Sequence, residues 1–195
     1  MSKGQIWGGI DPGKSGAVGV IYPDGTVDAW HNPVIIERKT TASKLKSGPR
    51  KGQNVKRRTE KRHNDLSGRL SLLLPLAKAS RAGYDVIVTL EHISSMPRDG
   101  KVQAFAFGYD FGTWEMALVA LKLKYLMVRP NVWRPAMVGK EADKRDSLIL
   151  CRRLYPKLDL PLAKDEARAE AILLADWQRR KHMGLDMPFK EEPKS

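Results

Sequence analysis

Two apolar runs in this chain each end in a carboxylate: QIWGGI stops at Asp11 and DVIVTL stops at Glu91. A short, continuously apolar run belongs in the middle of a sheet, covered on both faces. An acid closing such a strand is poor core design unless a cation compensates it. Side chains alternate along a strand, so in QIWGGID residues Ile6, Gly8 and Ile10 share one side while Trp7, Gly9 and Asp11 share the other. Pro12 and Gly13 stop that strand directly after the acid, and a polar loop follows Glu91. Open α/β sheets carry their sites beyond the carboxyl ends of strands. Both acids are therefore site candidates.

The rest of the chain supports a sheet-and-helix reading. GAVGVIY and VDAWHNPVII flank Pro23-Asp24-Gly25-Thr26, and an Asp-Gly turn between β-rich runs predicts a hairpin. Residues 37–63 carry many Lys and Arg and almost no large apolar side chain. Such a segment cannot bury a face, so it reads as a mobile loop or arm extending into the next helix. Asn64 or Asp65 caps a helix, LSGRLSLLLPLAKAS, which Pro75 should interrupt or kink and Gly83 should end. A long helix is expected from about Ala104 to Lys124, with Gly108 and Gly112 one turn apart, a spacing that predicts close packing on a neighbour. YLMV makes a fifth strand, stopped by Pro130; a helix follows Asp143; a connector covers 156–164; a last helix runs from about Asp165 to Arg180. No internal repeat is visible. Three strands in a meander, followed by strands alternating with helices, call for parallel crossovers. The expected fold is α/β, a mixed five-stranded sheet with helices on both faces. One domain is expected over 1–182, with the basic insertion at 37–63 and a loose tail at 183–195.

Charge narrows the partners. Lys and Arg number 35 against 22 Asp and Glu, a net +13. That excess concentrates polyanions, meaning nucleic acid or an anionic membrane surface. The membrane alternative is the weaker one, because no apolar stretch approaches spanning length and the start, MSKGQIWGGIDPG, has no signal-like apolar segment. The single cysteine, Cys151, excludes an internal disulfide and a Cys-clustered zinc site, and its apolar-periodic surroundings place it in the core. A soluble, intracellular (cytoplasmic) protein is the expectation.

The last predicted helix adds acids. In KDEARAEAILLADW, Glu166 and Glu170 stand at i and i+4 on one face, flanked by Asp165. Like charges so spaced repel by a few tenths of a kcal/mol, and a divalent cation held by oxygen ligands would reverse that sign. A solvated helix face is the alternative for this pair, and a turn-forming Asp before Pro-Gly is the alternative for Asp11. One site built from all three regions accounts for them together. Ala167, Ala169 and Ala171 on the same helix permit close approach to the sheet.

These segments resemble a known family. GIDPGKSGAVGVI is similar to the first motif of RuvC-type Holliday-junction resolvases, members of the ribonuclease H-like superfamily. VIVTLEHISSMP resembles the second motif, VRPNVWRPAMVGKEADKRDSLILCRRLYP a following Pro-led helix and Lys-rich turn, and KDEARAEAILLADW the closing acidic helix, in the form seen in phage-encoded members. The resemblance spans roughly residues 6 to 180. It implies a ribonuclease H-like fold and a magnesium-dependent endodeoxyribonuclease that cuts four-way or other branched DNA, working as a homodimer. Asp11, Glu91 and Glu170 would be metal ligands and catalytic groups. The family's further helix acid or His would fall at Ala167, so the role passes to Glu166, with Asp165 as substitute. Two magnesium ions per site are implied, with manganese able to replace them. The family's wedge at the branch point has Met96 as its nearest counterpart; ordinary packing is preferred for Phe105 and Phe107.

Carboxylate-held magnesium suits phosphodiester hydrolysis, because it neutralises the phosphate, activates water and stabilises the leaving oxygen. Lys14, Lys140 and Lys144 lie in motif loops and would touch phosphates near the cut; Arg50, Lys51, Lys56, Arg57, Arg58, Lys61 and Arg62 form the insertion's patch. That patch either grips DNA or is a solubilising loop. Three rivals stand: a sugar-kinase-type phosphotransferase, which needs a longer two-lobed chain; a non-catalytic nucleic-acid binder on the same fold; and a nuclease acting on RNA, flaps or forks.

Overall fold

The computed structural model describes residues 3–44, 46–93 and 100–189. A five-stranded sheet is built from β1 (Gln5–Asp11), β2 (Ala17–Ile21), β3 (Val27–His31), β6 (Asp85–Glu91) and β7 (Lys124–Val128), in the order β3-β2-β1-β6-β7. The first three strands form an antiparallel meander, closed at Pro23–Thr26 by a turn in which Tyr22 N–H donates to Thr26 O and Gly25 takes a positive φ of 81°. β6 and β7 add in parallel. The mixed sheet expected from the strand and helix order is thus observed.

Helices cover both faces. α1 (Leu66–Arg81) and α2 (Lys101–Ala120) pack on the face bearing Ile6, Ile10, Val88 and Leu90, with Leu73, Leu118 and Trp114 filling the layer between. On the other face lie α3 (Pro130–Val138), α4 (Lys144–Leu154) and α5 (Glu166–Met183), the last entered through a single 3₁₀ turn at Ala163–Asp165. α5 lies almost against the sheet backbone. A Cβ at Gly9 would stand 2.1 Å from Ala171 O, and one at Gly19 would stand 2.7 Å from Ile172 N. Glycines on the sheet, as well as alanines on the helix, therefore allow the approach. Local signals explain the helix starts. The Asp65 carboxylate accepts from Gly68 N–H, and Asp143 forms a reciprocal capping box with Asp146. Cys151 is fully buried in this layer, and burial pushes its thiol up to about 12, which fits a core residue and not a nucleophile.

Four expectations need correction. Residues 37–63 are not a loop: β4 (Val34–Lys44) and β5 (Asn54–Asn64) form a separate antiparallel ribbon, paired from Val34↔Asn64 to Lys44↔Asn54. A two-stranded ribbon satisfies its backbone by mutual pairing and needs no apolar face, so polarity did not exclude strand here. The run VDAWHNPVII is divided at Asn32-Pro33 between the sheet and the ribbon. α1 is not interrupted at Pro75, and among the described residues nothing beyond α2's own backbone lies within 4 Å of a Cβ placed at Gly108 or Gly112, so those glycines mark no close contact among those residues.

Candidate active site at the carboxyl ends of two central strands

Parallel pairing puts Ile10 beside Leu90, so Asp11 and Glu91 close adjacent strands at the same edge. Both side chains lie on the face covered by α5, because Gly9, two residues before Asp11, meets Ala171 there. Glu170 sits one residue before Ala171 and is itself buried, 7% exposed. Three acids from distant segments thus face one region. Burial pushes the Glu91 carboxyl up from its ordinary 4.5 to about 7, and the charges of Asp11 and Glu170 add to the rise. The N–H of Trp133, which donates to Glu91 Oε1 at 2.8 Å, and the guanidinium of Arg134 oppose it. Arg134 also pairs with Glu170 Oε1 at 2.9 Å, and Ser147 Oγ stands 3.5 Å from the same oxygen.

The loop carrying Asp11 is held from two directions. Asn32 is buried and its Nδ2 donates to Asp11 O at 2.7 Å and to Gly13 O at 2.6 Å. Trp114 Nε1 donates to Pro12 O at 3.2 Å from the opposite layer. Trp114 in turn lies under the buried Arg69, whose guanidinium pairs with Asp110 at 2.9 Å. Gly16 completes the turn, since a Cβ there would stand 2.2 Å from Asp11 O.

The remaining predicted residues go elsewhere. Glu166 is half-buried and lines a neighbouring cleft of about 440 Å³ with Lys14, Ser15, His31, Asn32, Val34, Arg62, Lys164 and Ala167. Asp165 is engaged by its own neighbours. Burial works against ionisation of Asp165, but Leu162 N–H, Arg168 at 3.2 Å and His31 at 3.4 Å together hold its carboxyl below the usual range, so its oxygens are engaged. Lys140 lies in the loop between α3 and α4, and Lys144 begins α4. Arg50 and Lys51 are at the ribbon tip, and Lys56, Arg57, Arg58, Lys61 and Arg62 are on β5. Met96 lies outside the described residues. Phe105 does not pack as expected, being 77% exposed, while Phe107 is half-buried. Trp133, Arg134, Ser147 and Asn32 were not singled out by sequence reasoning; the resemblance covered VRPNVWRP, but no spacing rule ties Trp133 to Glu91 across 42 positions.

The donor set suits a hard divalent cation. Three carboxylates supply oxygen only, and their repulsion is what such an ion relieves. Among the described residues no group of three His, Cys, Asp or Glu is placed so as to hold a metal ion, and Arg134 pairs with Glu170 instead.

No protein-family model and no curated sequence matches the chain. Among solved structures it is similar to the Thermus thermophilus RuvC structure, with a TM-score of 0.51, 15% identity, and coverage of 95% of this chain and 100% of that one. It is similar also to T. thermophilus RuvC in complex with Holliday junction substrate, with a TM-score of 0.51, 13% identity, and coverage of 95% and 99%. The fold is RuvC-like. That RuvC-like sheet is the ribonuclease H-like arrangement, with Asp11 on its first strand and Glu91 on the next parallel one. Among the described residues no helix is long and apolar enough to cross a membrane.

Proposed function

We propose that this protein is a magnesium-dependent endonuclease that cuts branched DNA, four-way junctions among them. The observation that carries the reading is that Asp11 and Glu91 close adjacent parallel strands on the face where α5 carries the buried Glu170. Asp11, Glu91 and Glu170 would hold the metal, with Glu166 as a further acid from the same helix. When bound, magnesium (or manganese) supplies charge neutralisation at the phosphodiester and an activated water.

The chain's own groups do the positioning. Trp133 fixes Glu91 through Oε1, Arg134 holds Glu170 and balances the acids, and Asn32 and Trp114 set the path of the backbone at Asp11. A site whose side chains are locked by such neighbours loses little on ordering when substrate arrives. Lys14 lines the adjoining cleft with Lys164, a place for phosphates flanking the cut, and Lys140 from the α3–α4 turn and Lys144 from the start of α4 would add contacts.

Two symmetric cuts need two sites, and α2 favours a homodimer. Its exposed Val102, Phe105, Tyr109, Met116 and Val119, with Gly112, recur at alternating steps of three and four, the period of a helix–helix seam. A second copy of α2 would cover that stripe.

The test compares a four-way junction, a fork, a flap and a linear duplex incubated with magnesium. Wild type should cut branched substrates in preference to the duplex, leaving 5′ phosphate and 3′ hydroxyl ends. Asp11→Asn should bind the junction within about twofold of wild type and cut nothing, since binding rests on distributed cations. Cleavage by Asp11→Asn at the wild-type rate would refute the assignment.

A further inference from the structure

The β4–β5 ribbon is a sheet of its own, and its two faces are chemically unlike. Residues 34–64 hold eleven Lys and Arg against two Glu, nine of the chain's thirteen net positive charges. Side chains opposite one another in an antiparallel pair share a face, and alternate residues change face. The register therefore places Arg38, Lys44, Lys56, Arg58 and Arg62 on one face, with Glu60 as its only acid. Glu60 lies between Arg38 and Arg62, 3.6 Å from each, which leaves Lys56 and Arg58 exposed with no acid partner among the described residues. On the opposite face Glu37 engages Lys39 at 2.8 Å and His63 at 3.4 Å, so fewer cations there are uncommitted.

We propose that the ribbon is a duplex-holding arm that grips DNA through the Arg62 face alone. The inference rests on the nuclease reading for the presence of DNA, but the grip itself requires no cleavage. Three observations support it. Arg62 and Val34, at the root of the ribbon, line the same cleft as Lys14 and Lys164, so the cations form one track from the site outward. Eleven residues per strand at about 3.4 Å each reach at most about 35 Å, close to one turn of B-form DNA. A two-stranded ribbon also matches the width of the major groove. Between Glu37 and His63 the sequence offers only Ala42, Leu45 and Val55 as apolar side chains, too little to enter a bilayer.

The experiment uses the full chain in EDTA, so that nothing is cut, and follows fluorescence anisotropy of a labelled 20-base-pair duplex across a KCl series. Two double variants are compared, Lys56→Ala with Arg58→Ala, and Lys39→Ala with Lys61→Ala. Each lost phosphate contact should lower the slope of log K against log salt by about 0.9. The first variant should lose about 1.8 in slope and roughly thirtyfold in affinity at 0.15 M KCl. The second should stay within about threefold of wild type. Equal losses from both faces, or no loss from the first, would overturn the proposal. So would tighter, Lys56- and Arg58-dependent binding to duplex RNA or to phosphatidylserine vesicles. Cleavage of a junction in magnesium, run in parallel, separates the two readings: face-dependent binding without cutting removes the nuclease and leaves the arm, and cutting with face-independent binding does the reverse.

Discussion

Glu91→Gln should make the metal-free protein more stable at alkaline pH. The folded-state pKa of Glu91 lies near 7, above its ordinary 4.5, so the native protein binds a proton more tightly than the unfolded chain does. Stability then falls as pH rises from about 4.5 to about 7, and above 7 the full cost of holding an ionised Glu91 in a buried place, with Asp11 and Glu170 near it, is present. A rise of about 2.5 corresponds to about 3 kcal/mol at 1.36 kcal/mol per pH unit. Glutamine has nearly the same shape, can still accept from Trp133 Nε1, and can donate its amide hydrogens to the neighbouring carboxylates. The variant should therefore exceed wild type by about 2–3 kcal/mol at pH 8, roughly 5–10 °C in Tm for a chain of this size, with no gain at pH 4.5. Thermal unfolding in EDTA between pH 4.5 and 8.5 measures this. Magnesium should stabilise wild type at pH 8 and stabilise the variant much less. A stability difference that does not change between pH 4.5 and 7 would refute the claim that burial and the neighbouring acids raise the proton affinity of Glu91.

Arg134→Met removes the 2.9 Å partner of Glu170 and one of the two groups that hold Glu91 down. It should lower stability at neutral pH in EDTA by about 2 kcal/mol, less than a fully buried broken pair because Arg134 is partly exposed, and divalent ions should restore part of the loss in the same melts. Gly9→Ala drives a methyl into Ala171 O and Ala175 N and should lose about 3 kcal/mol or fail to fold; Gly108→Ala, with open space around it, should gain about 0.5–1 kcal/mol by urea titration. Phe105→Asp, on the exposed stripe of α2, should turn a dimer into a monomer by light scattering while leaving the Tm within a few degrees.

Much of the fold was legible because its signals are local. The Asp24-Gly25 turn, the caps at Asp65 and Asp143, and the apolar runs ending at Asp11 and Glu91 each depend on a few neighbouring residues. The acids themselves were visible for the same reason: a carboxylate closing a buried strand is anomalous wherever the strand goes. The ribbon was misread because its stability comes from pairing, and neither β4 nor β5 has the alternation that a strand on a core displays. Phe105 was assigned to packing, because sequence does not say which side of a mostly apolar helix meets the sheet.

By itself the sequence determined which segments become the strands and helices of the five-stranded core, that acids stand at strand ends, and that the chain carries a large positive charge. Only the tertiary structure decided that Ile10 pairs with Leu90, so that Asp11 and Glu91 become neighbours, that Glu170 rather than Asp165 turns toward them, and that Trp133 and Arg134 attend them. These facts depend on register between strands some eighty residues apart and on which face of α5 the glycines of the sheet admit. Hydrogen bonding and packing across such distances are set by the whole set of layers together, and no window of the chain contains them.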